Sequence, residues 1–166
     1  MAFFAAIFYH RAFAVDFDPE PLAWGLRRHL RPLGAAARRV RQIRADVRRV
    51  RTPPADVVTA FNFSYWVFRE RATMLAYFRG VRRALRPGGA FFLDLMGGPA
   101  MQEEVEERRR EKGFTYVWEQ QAMDAITHRL RCHIHFRFRD GTVLRRAFSY
   151  DWRLWSVTEL RDGLRD

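Results

Sequence analysis

Apolar residues follow two patterns along this chain, and the change falls near Gly97 and Gly98. Before that point, short unbroken apolar runs alternate with helix-spaced stretches. "AFAV" leads into Asp16, "DVVTAF" covers 56–61 and "AFFLDL" covers 90–95. Unbroken runs of this length suit strands covered on both faces. Residues 39–44 form a weaker strand that ends just before Asp46. Leu22, Leu26, Leu30 and Leu33 share one helical face. Asp18 is placed to cap that helix, with Pro19 at its first position, while Pro32 interrupts it and Gly34 closes it. Met74, Phe78, Val81 and Leu85 mark the buried face of a second helix predicted over 69–85. "TPPA" at 52–55 is a turn, and "RPGG" at 86–89 stops the second helix. This alternation over 14–95 predicts an α/β fold with a parallel sheet flanked by helices.

Beyond Gly98 the period changes. "MQEEVEERRREK" (101–112) has little apolar face and is predicted as a charged helix. "FTYVWEQQ" (114–121) follows as a strand. In "THRLRCHIHFRFRD" (127–140), Leu130, Cys132, Ile134, Phe136 and Phe138 alternate with Arg131, His133, His135, Arg137 and Arg139. Strict alternation predicts a half-buried strand with one wet face. Asp140-Gly141 is a hairpin signal, and "TVLRRAFSY" returns, so an antiparallel meander follows the parallel part. "SVTE" at 156–159 is a capping box that opens a last helix. The expected organisation is one domain in three stretches. Residues 1–98 form the core, 99–155 the charged helix and meander, and 156–166 the start of a further core helix.

Composition narrows the class. The chain has 166 residues, 48% of them hydrophobic, enough for a folded core. No apolar run approaches the roughly 20 residues that cross a membrane. The apolar start "MAFFAAIFYHRAF" has no leading basic residue and no small-residue cleavage site, so it is read as part of the fold. One cysteine, Cys132, excludes an intrachain disulfide, and a reducing cytoplasm is the expected compartment. The net charge is +11, and ten arginines against one acid between Arg27 and Arg51 supply most of it. The chain has a single lysine, Lys112, so a compositional bias towards arginine accounts for much of this. Attraction of polyanions is the competing reading.

The strand that ends in Asp16 raises a specific question. A carboxylate at that position suits the two hydroxyls of a ribose. A glycine-rich turn should then lie about 20 residues earlier. Only 15 residues precede Asp16, and none is glycine. Four stretches nevertheless fall in a familiar order: "VDFDPEPL", "ADV" at 45–47, "DVVTAFNFSYWVF" and "LRPGGAFFLDL". Together they resemble the class I S-adenosylmethionine-dependent methyltransferases over about residues 14–98. The tail from "FTYVWEQ" to "ELRDGL" resembles the substrate-side meander and following helix of some members. The resemblance implies a Rossmann-like parallel sheet, incomplete here and followed by the meander. It departs at both ends. The first strand and its glycine motif are missing, "MAFFAAIFYH" stands where the first helix should be, and the last two strands are absent. A fragment, or a chain begun too late, is the expected explanation, and with it weak or no activity.

The resemblance also implies roles. S-adenosylmethionine is the cofactor and a small molecule the acceptor. Asp16 holds the ribose hydroxyls and Phe17 packs near the adenine. Asp46 accepts from the adenine amino group, and the Val47 amide donates to a ring nitrogen. Phe61, Asn62 and Phe63 follow the fourth strand of the family, where backbone meets cofactor. Tyr65 and Trp66 are substrate-side candidates that shape the entrance. Plainer roles compete: Asp46 offsetting neighbouring arginines, Asn62 as a turn residue, and Phe63, Tyr65 and Trp66 as packing. Asp94 is read as a structural hydrogen-bonding group rather than a catalytic one. His133 and His135 share a strand face with His128 nearby. No carboxylate or thiol is evident beside them, so no metal site is assigned. No general base and no catalytic residue are assigned. Other readings are an NAD-dependent oxidoreductase, which needs the missing glycine loop, an arginine-rich nucleic-acid-binding module, and a non-catalytic chain that pairs with another. The oligomeric state is not legible.

Overall fold

The computed structural model describes residues 10–166. The expectation for the apolar start, that it belongs to the fold, falls mainly on residues 1–9 and lies outside the described residues. The chain forms two compact units. One holds the residues up to Val58 with Ala76–Ala90; the other holds Thr59–Leu75 with Phe91–Asp166.

In the first unit, β1 (Ala12–Asp16) and β2 (Val40–Arg44) pair in parallel, with Asp16 opposite Arg44. Between them runs α1 (Pro19–Gly25), continued by irregular helical turns to Arg39. Asp18 caps α1 by accepting the Glu20 N–H at 2.9 Å. Leu30 and Val40 are buried together, with Ala12, Leu33 and Ala37 against them. The Gln42 side-chain amide donates to the Leu22 carbonyl at 2.8 Å and ties helix to strand. This is a strand–helix–strand crossover, as the alternating pattern implied.

Strands β3 (Ala55–Ala60) and β4 (Leu85–Leu93) form a second pair, joined through α2 (Arg71–Ala84). "RPGG" lies within the β4 span rather than before it. Gly88 adopts φ +77°, which favours glycine. At Gly89 an added Cβ would lie 3.0–3.1 Å from the carbonyl oxygens of Arg86, Ala55 and Asp56. The second glycine thus lets β4 approach the start of β3. Both strands were expected to be fully covered, yet Val57 is 53% and Phe92 52% exposed.

In the second unit, β5 (Val105–Glu111), β6 (Phe114–Gln120), β7 (Arg129–Phe138) and β8 (Val143–Arg153) form an antiparallel sheet in sequence order. The charged helix expected at 101–112 is therefore corrected: its residues form a short turn at Pro99–Gln102 and then β5. Gly113, at φ +100°, makes the tight link that sets Glu111 opposite Phe114. Ladder bonds to β6 outweigh the weak helical preference of a run without an apolar face. Arg108–Glu106 and Arg109–Glu111 ion pairs, at i,i+2 spacing, suit a strand. Finally α3 (Val157–Arg165) begins with the expected capping box, the Glu159 amide donating to the Ser156 hydroxyl at 3.2 Å and the Ser156 amide to the Glu159 carboxylate at 2.8 Å. Burial disfavours the Glu159 carboxylate, but the Ser156 bonds and the Arg153 charge outweigh it and hold the group below its ordinary range. Among the described residues no helix is long and apolar enough to cross a membrane.

Candidate cofactor and acceptor site

Parallel register places the carboxyl ends of β1 and β2 side by side. The Ala45 amide donates to the Asp16 carbonyl at 3.0 Å, so the segments carrying Asp16–Phe17 and Asp46–Val47 leave the same edge. Ligands of open α/β sheets bind outside this edge. One oxygen of the Asp16 carboxylate accepts the Asp18 amide at 3.0 Å, which fixes the side chain in a local turn. Phe17 is 76% exposed, an apolar ring left in solvent beside that carboxylate. The Arg44 guanidinium reaches the Phe17 carbonyl at 3.4 Å.

Asp46 is committed differently. Its carboxylate accepts the Arg48 amide at 2.9 Å and is gripped by the Arg48 guanidinium through both oxygens, at 2.9 and 3.0 Å to Nε. The Arg48 hydrogen bond is the main reason its pKa is lowered to about 2. The Asp46 carbonyl accepts from the Arg49 and Val50 amides, each at 2.9 Å, so Val47 sits inside a tight turn.

The remaining candidates lie in the second unit. Phe61, Asn62 and Phe63 leave β3, and both Asn62 and Phe63 adopt left-handed backbone angles, φ 57° and 55°. Asparagine tolerates that region; phenylalanine rarely enters it. The Asp94 carboxylate accepts both amides, from Asn62 at 2.7 Å and from Phe63 at 3.0 Å. Tyr65 and Trp66, expected at an entrance, are instead 1% and 0% exposed. The Tyr65 hydroxyl donates to the Asp94 carbonyl at 2.7 Å, and burial pushes its pKa up. Phe63 stacks on Trp66 at 4.5 Å between centroids, and Trp152 sits edge-on to both. The aromatic run continues through Tyr150, stacked on Trp152 at 4.5 Å, to Trp118 at 6.2 Å from Tyr150. Trp118 on β6 meets Tyr150 and Trp152 on β8 across the intervening β7, while Phe63 and Trp66 come from the loop after β3.

The histidine face also differs from expectation. Opposite His135 the partner strand bulges, with Arg146 at φ 48°, and the His135 ring, still on the face of His133, is 9% exposed. Its Nδ1 accepts the Arg146 amide at 3.0 Å, so the ring proton is on Nε2, which donates to Glu119 at 3.0 Å. The carboxylate not evident in the sequence is thus Glu119, brought over by the β6–β7 register, which also sets it opposite His133. Both His135 nitrogens are occupied. His133 Nδ1 lies 2.8 Å from the Ser149 hydroxyl. Among the described residues no His, Cys, Asp and Glu group of metal-binding size forms. Cys132 is buried, and burial pushes its thiol up to about 12.

A β-strand that ends in a carboxylate beside a parallel neighbour, with a helix crossing between the two, is a Rossmann-like arrangement. Residues 1–93 match the model of the methyltransferase domain family, and the chain belongs to that family. No curated protein sequence matches the chain. Solved structures do resemble it. The CcbJ methyltransferase of Streptomyces caelestis superposes with a TM-score of 0.80 at 18% identity, over 96% of this chain and 64% of that one. An S-adenosylmethionine-dependent methyltransferase of Clostridium acetobutylicum gives 0.76 at 20% identity, over 93% and 62%. CalS10, an amino pentose methyltransferase of Micromonospora echinaspora solved with S-adenosylmethionine bound, gives 0.61 at 18% identity, over 93% and 72%. The chain thus spans less than two thirds of the first two. These likenesses cover the meander as well as the parallel part, so the Rossmann-like α/β fold with an antiparallel extension is shared.

Proposed function

We propose that this chain carries the ribose–adenine side and the acceptor-side sheet of an S-adenosylmethionine-dependent methyltransferase acting on a small molecule. The observation that carries the reading is Asp16: a carboxylate at the carboxyl edge of a parallel pair, oriented by one amide, with its second oxygen unused among the described contacts. That donor set fits two vicinal hydroxyls. Phe17 beside it offers an apolar face to a flat base, and the Val47 amide is the candidate donor to that base. Asp46 fits less well, because taking an adenine amino group would require Arg48 to release it. The cofactor, when bound, supplies a methyl group on a sulfonium that passes to a nucleophile of the acceptor. The protein's part is alignment and exclusion of water. Phe61, Asn62 and Phe63 are the further cofactor candidates, and Tyr65 and Trp66 pack within the same loop region.

The small-molecule acceptor is favoured by the amino pentose named for CalS10 and by the half-buried aromatic run of Phe63, Tyr150 and Trp118, which suits an apolar or cationic group. The reducing cytoplasm is the compartment proposed for a chain whose one thiol is buried. The test is calorimetric titration with S-adenosylhomocysteine, repeated on Asp16→Ala. Saturable binding that weakens about 10- to 100-fold in the variant is expected, the loss of charge-assisted hydrogen bonds being about 1.5–3 kcal/mol. Binding that is unchanged in Asp16→Ala removes the ribose role.

A further inference from the structure

The loop after β3 holds an unusual pair of residues. Asn62 and Phe63 are consecutive left-handed residues, and neither is glycine. Such a conformation is unfavourable and persists only where the surroundings impose it. Three observations show what imposes it. The Asp94 carboxylate takes both amides, one on each oxygen, at 2.7 Å from Asn62 and 3.0 Å from Phe63. The Tyr65 hydroxyl holds the Asp94 carbonyl at 2.7 Å, which anchors the clamp from below. The Phe63 ring is locked against the fully buried Trp66. All of these groups lie within the second unit.

A fold does not need strain at a surface turn. Glycine at either position would make the same turn at lower cost. Here a carboxylate is dedicated to keeping two unfavourable angles, in a loop that leaves the carboxyl end of a strand. We propose that Asp94 is a positioning residue of the cofactor site. It acts through the Asn62–Phe63 backbone and touches no ligand. With both amides held by Asp94, the loop backbone is fixed before any ligand arrives. This inference rests on the cofactor reading above.

The test compares wild type, Asp94→Asn and Asp94→Asn with Asn62→Gly. Each is titrated calorimetrically with S-adenosylhomocysteine and melted thermally. The asparagine amide can accept from only one of the two backbone donors and turns its own NH2 on the other. Asp94→Asn is expected to bind about tenfold more weakly, with unchanged stoichiometry. Adding Asn62→Gly is expected to recover part of that loss, because glycine reaches the left-handed region unaided. A purely structural Asp94 would lower the melting temperature and the binding-competent fraction while leaving Kd unchanged, and that result overturns the inference. If Asp94→Asn fails to fold, Tyr65→Phe carries the test, since it removes only the anchor on the Asp94 carbonyl. Weaker binding in Tyr65→Phe supports the inference, and unchanged affinity overturns it. Absence of binding by wild type would instead sink the cofactor reading itself, and the positioning role with it.

Discussion

The β1–β2 unit and the β5–β8 sheet reach order by opposite routes. The antiparallel sheet is built by short local returns, and its interior is dense with Leu130, Cys132, Trp152 and Trp155, each below 10% exposure. In the parallel unit each strand needs a whole helix to return, and the buried pair Leu30 and Val40 anchors it. Large apolar side chains remain in solvent around it, among them Phe17 and Trp24 at 76% and 52% exposure. Antiparallel order is therefore mostly a matter of local side-chain packing. Parallel order here depends more on backbone contacts and turns, and those same turns carry the candidate ligand groups.

Single substitutions separate the two routes. The largest effect is expected from Trp152→Ala. It removes the ring that meets Phe63, Trp66, Trp118 and Tyr150, and should cost about 3–5 kcal/mol by denaturant unfolding. A loss under about 1 kcal/mol would show that the aromatic run does not hold the sheet. Gly89→Ala tests the backbone route. Its Cβ would press on carbonyl oxygens that belong to the main chain and cannot rotate away, so a loss of about 1–3 kcal/mol is expected. A neutral result would mean that β3 and β4 separate at little cost.

The smallest effect is a pH dependence at Asp46. Its folded pKa of about 2 lies below the ordinary value of 3.8, so its contribution to stability is complete above 3.8 and is lost as pH falls through about 2. Carboxyl chemical shifts should titrate with a midpoint near 2 in wild type and move towards 3.8 in Arg48→Ala. An unshifted midpoint in that variant would show that Arg48 is not the cause. Because the pair is exposed, the change in global stability is expected to be slight.

Much of the fold was legible in the chain. The α1 cap at Asp18, the buried face of α2 at Met74, Phe78 and Val81, and the Ser156–Glu159 capping box all follow from local rules, and the structure contains each of them. Alternation in β7 separated Leu130 and Cys132 from Arg131 and His133. It failed at His135, because the bulged partner strand and Glu119 bury a ring on the face that the pattern marked as wet. The charged helix expected at 101–112 failed as well, because the run pairs as a strand with the ladder that Phe114–Gln120 offers.

The candidate site divides in the same way. Sequence alone located Asp16 at a strand end and ended the next buried strand at Phe61, before the polar and aromatic stretch 62–66, since both depend on local pattern. Tertiary structure decided the rest. It buried Tyr65 and Trp66, and drew Asp94 across 31 and 32 residues to the Phe63 and Asn62 amides. Pattern records which face a residue prefers. Which partner waits on that face is fixed by register and by contacts between residues distant in the chain, and no local rule contains them.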